Sequence, residues 1–114
     1  HPYLNFGGNA REAFEFYGEA LGATPQFATF GEFQAVPEGD PSADKIMHGA
    51  LEIDDLIRLY VSDFVEGMAP GEFVKGNDII LALRGEDSDE QRLTAIFDAL
   101  ADGGTVTSIV LASI

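Results

Sequence analysis

Residues 3–22 read Tyr3-Leu4-Asn5-Phe6-Gly7-Gly8-Asn9-Ala10-Arg11-Glu12-Ala13-Phe14-Glu15-Phe16-Tyr17-Gly18-Glu19-Ala20-Leu21-Gly22, and three structural signals follow one another along them. Tyr3 to Phe6 alternates in the manner of a strand, and Gly7-Gly8 supplies the backbone freedom of a tight turn. Asn9 is a good helix N-cap, with Glu12 at the reciprocal capping-box position. Ala10, Ala13, Phe14, Tyr17, Ala20 and Leu21 then recur at helical spacing until Gly22 ends the pattern.

Working outward, Gln26 to Val36 carries Phe27, Phe30 and Phe33 and reads as a strand with an irregular middle at Gly31. Pro37 to Ser42 reads as a loop. Two apolar-rich runs, Lys45 to Ile53 and Leu56 to Asp63, flank Asp54-Asp55 and predict an antiparallel hairpin. Its register has two versions. A two-residue turn at Asp54-Asp55 puts His48 on one sheet face with Leu59 and Val61, whereas a turn that includes Leu56 puts it with Arg58 and Tyr60.

Val65 to Gly76 has no strong period and reads as a linker. Beyond it the opening grammar returns. Asn77 to Arg84 reads as an apolar strand, Ser88 with Gln91 as a second capping box, and Leu93, Ile96, Phe97 and Leu100 as the buried stripe of a second helix. Gly103-Gly104 stops that helix, and Thr105 to Leu111 is β-branched and apolar enough for a strand. Asn9 answers to Ser88 and Leu21 to Leu100, each 79 positions on, which points to two copies of one supersecondary unit. The expected organisation is one domain over 1–114: module one at about 1–64, the linker at about 65–76, and a partial module two at about 77–114.

The 114 residues suffice for one core. A hydrophobic share of 46% with only five Pro argues against disorder. No apolar run approaches the ~20 residues that cross a bilayer, and the opening residues show neither a basic nor an apolar signal region. A soluble, cytoplasmic protein is expected. Six Lys and Arg against 20 Asp and Glu give a net charge of −14, which makes nucleic acid and anionic membrane poor partners. With no Cys, disulfides, thiolate metal sites and Cys nucleophiles are excluded.

Two βαβββ modules in tandem are the architecture of the vicinal oxygen chelate superfamily, which includes glyoxalase I, extradiol dioxygenases, and fosfomycin- and bleomycin-resistance proteins. The sequence resembles its PhnB-like branch more closely. The resemblance is carried by Pro2 to Phe6, Gly8 to Tyr17, Thr29-Phe30-Gly31-Glu32, Asp44 to Gly49, Ser62-Asp63, Gly76-Asn77-Asp78 and Leu100 to Thr107. It implies an α+β fold in which tandem βαβββ modules form a curved mixed sheet around a small-molecule cavity. Members of the branch continue past the Gly-Gly-Thr-Val-Thr segment into a Trp-Gly-containing stretch and two closing strands. This sequence has no Trp and stops at Ile114, so the second module reads as incomplete at the C-terminus.

Metal-using members of the superfamily take His and Glu ligands from the first and fourth strands of each module. Here the opening strand offers only His1 at its edge, the fourth presents Leu59 where a Glu could sit, and Asp78 stands where module two would have a His. A transition-metal site needs three or four placed donors, so neither metal nor any other cofactor is expected.

His48 is the only interior His and is embedded in a strand. It reads either as a hydrogen-bonded core imidazole or as a cavity-wall group that bonds a ligand oxygen or moves a proton. Arg58 reads as a carboxylate or phosphonate clamp, or as the cross-strand partner of Glu52. Tyr3, Asn5 and Tyr60 could line the same concavity or be ordinary strand residues with polar tips in water, and Asp78 could orient an imidazole, take a ligand cation or simply begin its strand. Phe27 to Phe33 serves as core or as an aromatic lid. The carboxylates at Glu86-Asp87 and Asp89-Glu90 suit a helix N-terminus.

The first functional expectation is a metal-independent lyase or isomerase acting on a small molecule, with His48 catalytic and Tyr3, Asn5, Arg58, Tyr60 and Asp78 binding the ligand. The rival is a non-enzymatic protein that sequesters a cationic drug, as bleomycin-resistance proteins do. A shortened fold with no working site is a third. The uncharged, apolar Thr105 to Ile114 segment points to a homodimer as partner, with strand exchange as one form of it.

Overall fold

The computed structural model describes residues 1–54, 57–76 and 78–106. They are α+β and form two compact units, His1–Ile80 and Leu81–Ile114. The first unit holds strand β1 (Tyr3–Phe6), helix α1 (Ala10–Leu21) and strands β2 (Gln26–Thr29), β3 (Ile46–Glu52) and β4 (Arg58–Asp63). The strands form a mixed sheet in the order β1-β4-β3-β2. β1 runs parallel to β4, while β3 is antiparallel to both β4 and β2.

Helix α1 lies against one face of this sheet, and the core is what they enclose. Phe14, Ala10, Leu51, Val61 and Ile46 are essentially inaccessible, with Leu4, Phe6, Tyr17, Leu21, Phe27 and Leu59 packed around them. The 3.6-residue period of α1 and the two-residue period of the strands both aim their apolar sets at this layer. Gly49 sits where only a glycine fits, since a Cβ there would stand 2.7 Å from Val61 Cγ1 and 2.9 Å from Phe27 Cδ1. As its sequence position predicts, Gly22 ends α1 in the left-handed conformation at φ 73°.

The helix does not start as the capping-box pattern predicts. Asn9 makes no side-chain cap hydrogen bond. Its role passes to Asp63, a nearly buried carboxylate at the end of β4. Asp63 Oδ1 accepts the backbone N–H groups of Gly8 (3.1 Å) and Ala10 (2.9 Å), and Oδ2 accepts that of Ile46 (2.8 Å). One side chain thus closes the helix N-terminus, where the macrodipole favours negative charge, and anchors the first residue of β3.

β2 is shorter than the Gln26 to Val36 strand expected from the phenylalanines. Thr29 Oγ1 accepts the Glu32 N–H (3.1 Å) and Glu32 Oε2 accepts the Thr29 N–H (3.2 Å). This reciprocal pair begins a turn at Phe30 and stops the strand. Opposite it, Ala28 pairs with His48 and Thr29 with Ile46, so Met47 is an extra residue on β3. Such a bulge resets the side-chain alternation, which is why Ile46 and Gly49 are both buried while His48 between them is exposed.

The 37–42 loop forms as expected. The Ser42 hydroxyl and backbone N–H both donate to Asp40 Oδ1. The hydroxyl bond first, and the backbone bond second, hold the Asp40 carboxyl below the ordinary aspartate range, with desolvation opposing them. A lowered carboxyl favours the folded loop at neutral pH, and that contribution disappears as pH falls through the folded-state value. Ser42→Ala is expected to move the Asp40 titration midpoint, followed by carboxyl NMR, upward toward the ordinary value. An unmoved midpoint would show that the hydroxyl is not the cause.

Two expectations in the second half fail. Residues 78–84 form no strand, and Asn77 lies outside the described residues. A strand exists only through pairing, and the apolar run from Ile79 to Leu83 is left exposed. Ser88 does not cap the second helix. Asp89 Oδ2 accepts the Glu86 N–H (2.9 Å), a 3₁₀ turn spans Asp87–Asp89, and α2 follows at Glu90–Ala101 with Ile96 buried. Thr105 and Val106 are not in a strand, and the remainder of the expected Thr105 to Leu111 strand lies outside the described residues.

Candidate functional site

The face of the sheet turned away from α1 carries most of the polar and aromatic side chains singled out from the sequence. In the observed register Glu52 pairs with Arg58 and Ala50 with Tyr60, which places His48 on the same face as Arg58 and Tyr60. This is the second of the two registers weighed from the sequence. The parallel pairing of Tyr3 with Tyr60 and Asn5 with Ser62 adds two more side chains to that face. Five of the six sequence-predicted site residues, Tyr3, Asn5, His48, Arg58 and Tyr60, therefore project from three adjacent strands.

Their contacts form one aromatic cluster and two separate pairs. Tyr3 and His48 sit on strands separated by β4, so only a long side chain can join them. The Tyr3 hydroxyl does so, lying 3.0 Å from His48 Nδ1. The His48 and Tyr60 rings are 5.5 Å apart, Tyr3 and Tyr60 6.0 Å, and His1 meets Tyr60 edge-on at 5.9 Å. The Ser62 hydroxyl donates to Asn5 Oδ1 at 2.7 Å. Arg58 Nε stands 3.7 Å from Glu52 Oε1, with both side chains substantially exposed. A pair that long and that wet contributes little stability, about 0–1 kcal/mol. The guanidinium remains accessible to another anion.

Asp78 is not brought to this layer. It is exposed in the segment beyond Gly76, outside every strand. Glu52 stands opposite Arg58 as the cross-strand alternative predicts, His1 lies beside Tyr60, and Ser62 joins the layer without having been singled out from the sequence. The signal for Ser62 was strand alternation itself: once Tyr60 faces outward, so does the residue two positions on.

Among the described residues, no three His, Asp or Glu side chains come together in a way that would hold a metal ion. A cleft of about 340 Å³ borders the N-terminus of α1, lined by residues including Asn9, Arg11, Glu12, Lys45 and Asp63. It lies on the other side of the sheet from the polar layer, and its natural anion position is already filled by the Asp63 carboxylate. Among the described residues no helix is long and apolar enough to cross a membrane.

No family model matches the sequence, and no curated protein matches it. The crystal structure of protein PA1353 from Pseudomonas aeruginosa does match: it is 38% identical, aligns over 98% of this chain and 78% of its own, and superposes with a TM-score of 0.63. With its residues shared at that level over nearly its whole length, this chain belongs to the same family as the Pseudomonas protein PA1353.

Proposed function

We propose that this protein is a PhnB-like member of the vicinal oxygen chelate superfamily that binds a small oxygen-bearing molecule on the polar sheet face, as a metal-independent lyase or isomerase. The observation that carries the reading is the gathering of Tyr3, Asn5, His48, Arg58 and Tyr60 on one face of three adjacent strands. The strand–helix–three-strand order of the first unit, with β1 parallel to β4, supports the module assignment. The donor set does not fit the metal that other members of the superfamily hold, since only His48 offers an imidazole among the facing residues of β3 and β4.

In this reading the Arg58 guanidinium takes a carboxylate or phosphonate, displacing the loose contact to Glu52. Tyr60 supplies an aromatic floor, and the Asn5–Ser62 pair supplies polar contacts beside it. His48, in the same reading, bonds an oxygen near the scissile or migrating position. The exposed Ile79–Leu83 run supports the companion reading of a homodimer, in which a second copy covers this segment.

The −14 charge and the cluster of Tyr3 and Tyr60 rings favour one rival, sequestration of a cationic drug. Calorimetric titration with aryl carboxylates and with quaternary ammonium compounds separates the two. The expected result is carboxylate binding that weakens at least tenfold, about 1.4 kcal/mol, in Arg58→Ala and in His48→Ala. Salt-sensitive binding of ammonium compounds alone, indifferent to Arg58, would overturn the enzyme reading and support the rival.

A further inference from the structure

The contact between Tyr3 and His48 specifies more than proximity. A neutral imidazole has one N–H donor and one lone-pair acceptor, and the partner of one nitrogen decides the state of the other. The partner of Nδ1 is a phenol hydroxyl at 3.0 Å. A phenol is the better donor of the two, and the imidazole lone pair is the strongest acceptor available to it. Were the direction reversed, the exposed Tyr3 hydroxyl would give its proton to water, a weaker acceptor than the imidazole lone pair 3.0 Å away. Nε2 has no protein partner among the described residues, and His48 is exposed.

We infer that Tyr3 is a positioning residue that donates its hydroxyl proton to Nδ1 and holds neutral His48 with its proton on Nε2, so that the sheet face presents a hydrogen-bond donor and selects a ligand with an oxygen acceptor. The inference rests on the proposed small-molecule site and narrows it. The group that meets His48 is a carbonyl, carboxylate or phosphonate oxygen rather than an ammonium or hydroxyl proton. In a reaction, His48 starts as a hydrogen-bond donor that polarises that oxygen and not as the base.

The tautomer can be read in the free protein, independently of any ligand. Long-range ¹H–¹⁵N correlation spectra, recorded at alkaline pH where the ring's own ¹⁵N shifts report the neutral form, distinguish a protonated from an unprotonated ring nitrogen. The expected wild-type spectrum shows Nδ1 wholly unprotonated and Nε2 protonated. Tyr3→Phe keeps the ring that stacks near Tyr60 and removes only the donor, so the His48 signals should relax toward a mixture of tautomers. Tyr60→Phe, whose hydroxyl does not reach Nδ1, should leave them unchanged.

Protonated Nδ1 in the wild type would overturn the inference, and so would a Tyr3→Phe spectrum identical to it. Adding benzoate to the same samples tests the site itself. A shift of the Nε2–H signal on titration supports the proposed binding face. A spectrum with the expected tautomer but no response to benzoate or to other aryl carboxylates counts against the proposed function and leaves the Tyr3–His48 assignment standing.

Discussion

Asp63→Ala is expected to destabilise the first unit by about 3–5 kcal/mol, because it strips the acceptor from three backbone N–H groups at once. An unsatisfied buried donor costs about 1–3 kcal/mol, and partial hydration of the Gly8 end keeps the sum below the maximum. A domain of this size has roughly 5–10 kcal/mol of stability in total, so the variant should be largely unfolded in mild denaturant. Asp63→Asn separates the two ends of the carboxylate. Its carbonyl can still accept from Gly8 and Ala10, but its amide then faces the Ile46 N–H, donor against donor, for an expected loss of about 2 kcal/mol. Asn9→Ala is the control. Since Asn9 caps nothing through its side chain, its removal should stay within about 0.5 kcal/mol. Urea denaturation of the three variants checks the ranking, and a loss at Asn9 equal to that at Asp63 would return the cap to Asn9.

Phe14→Ala is the second substitution with a large expected effect, about 3–5 kcal/mol. Phe14 is wholly inaccessible at the centre of the α1–sheet layer, with its ring edge-on to Tyr17 at 5.9 Å. Around it Leu51, Val61 and Ile46 are held on strands and cannot close the void cheaply. The thermal midpoint and urea midpoint should fall together without a change in urea dependence. A loss under about 1.5 kcal/mol would mean that α1 settles onto the sheet and fills the space itself. The polar face is on the opposite side, so the His48 and Tyr60 resonances of the folded fraction should remain in place.

These two residues also mark what a linear reading of the chain can and cannot find. Phe14 was recognisable because its helix repeats apolar positions every three or four residues, a property visible within a dozen letters. Asp63 was not recognisable as a cap because its partner helix begins 53 positions earlier, and nothing local distinguishes it from a polar strand terminus. The shortened β2 lies between these cases. Thr29 and Glu32 have the spacing of a capping box, a local signal that a reading guided by the three nearby phenylalanines passes over. The 78–84 run failed for a different reason: continuous apolar letters record a tendency to be buried, and whether they become a strand depends on a neighbour the letters do not contain.

For the site, composition and order supplied the residues while register supplied their assembly. His48, Arg58 and Tyr60 could be chosen as polar or aromatic strand residues, but the two hairpin registers dispersed or united them. The union with Tyr3 depends on a parallel pairing across more than fifty residues. Asp78 was chosen by its alignment to a second module's first strand. With no strand formed over 78–84, the reason for placing it on the face disappears.

The extra residue at Met47 has an evolutionary reach of its own. A strand read in strict alternation must trade an inward position for an outward one whenever its length changes, so core and surface cannot be edited separately. The bulge uncouples them. Below it, Ile46 answers to the helix; above it, the outward row of His48, Ala50 and Glu52 keeps its own phase. A residue gained or lost at this point would exchange one set of outward-facing groups for another while leaving the seal beneath intact.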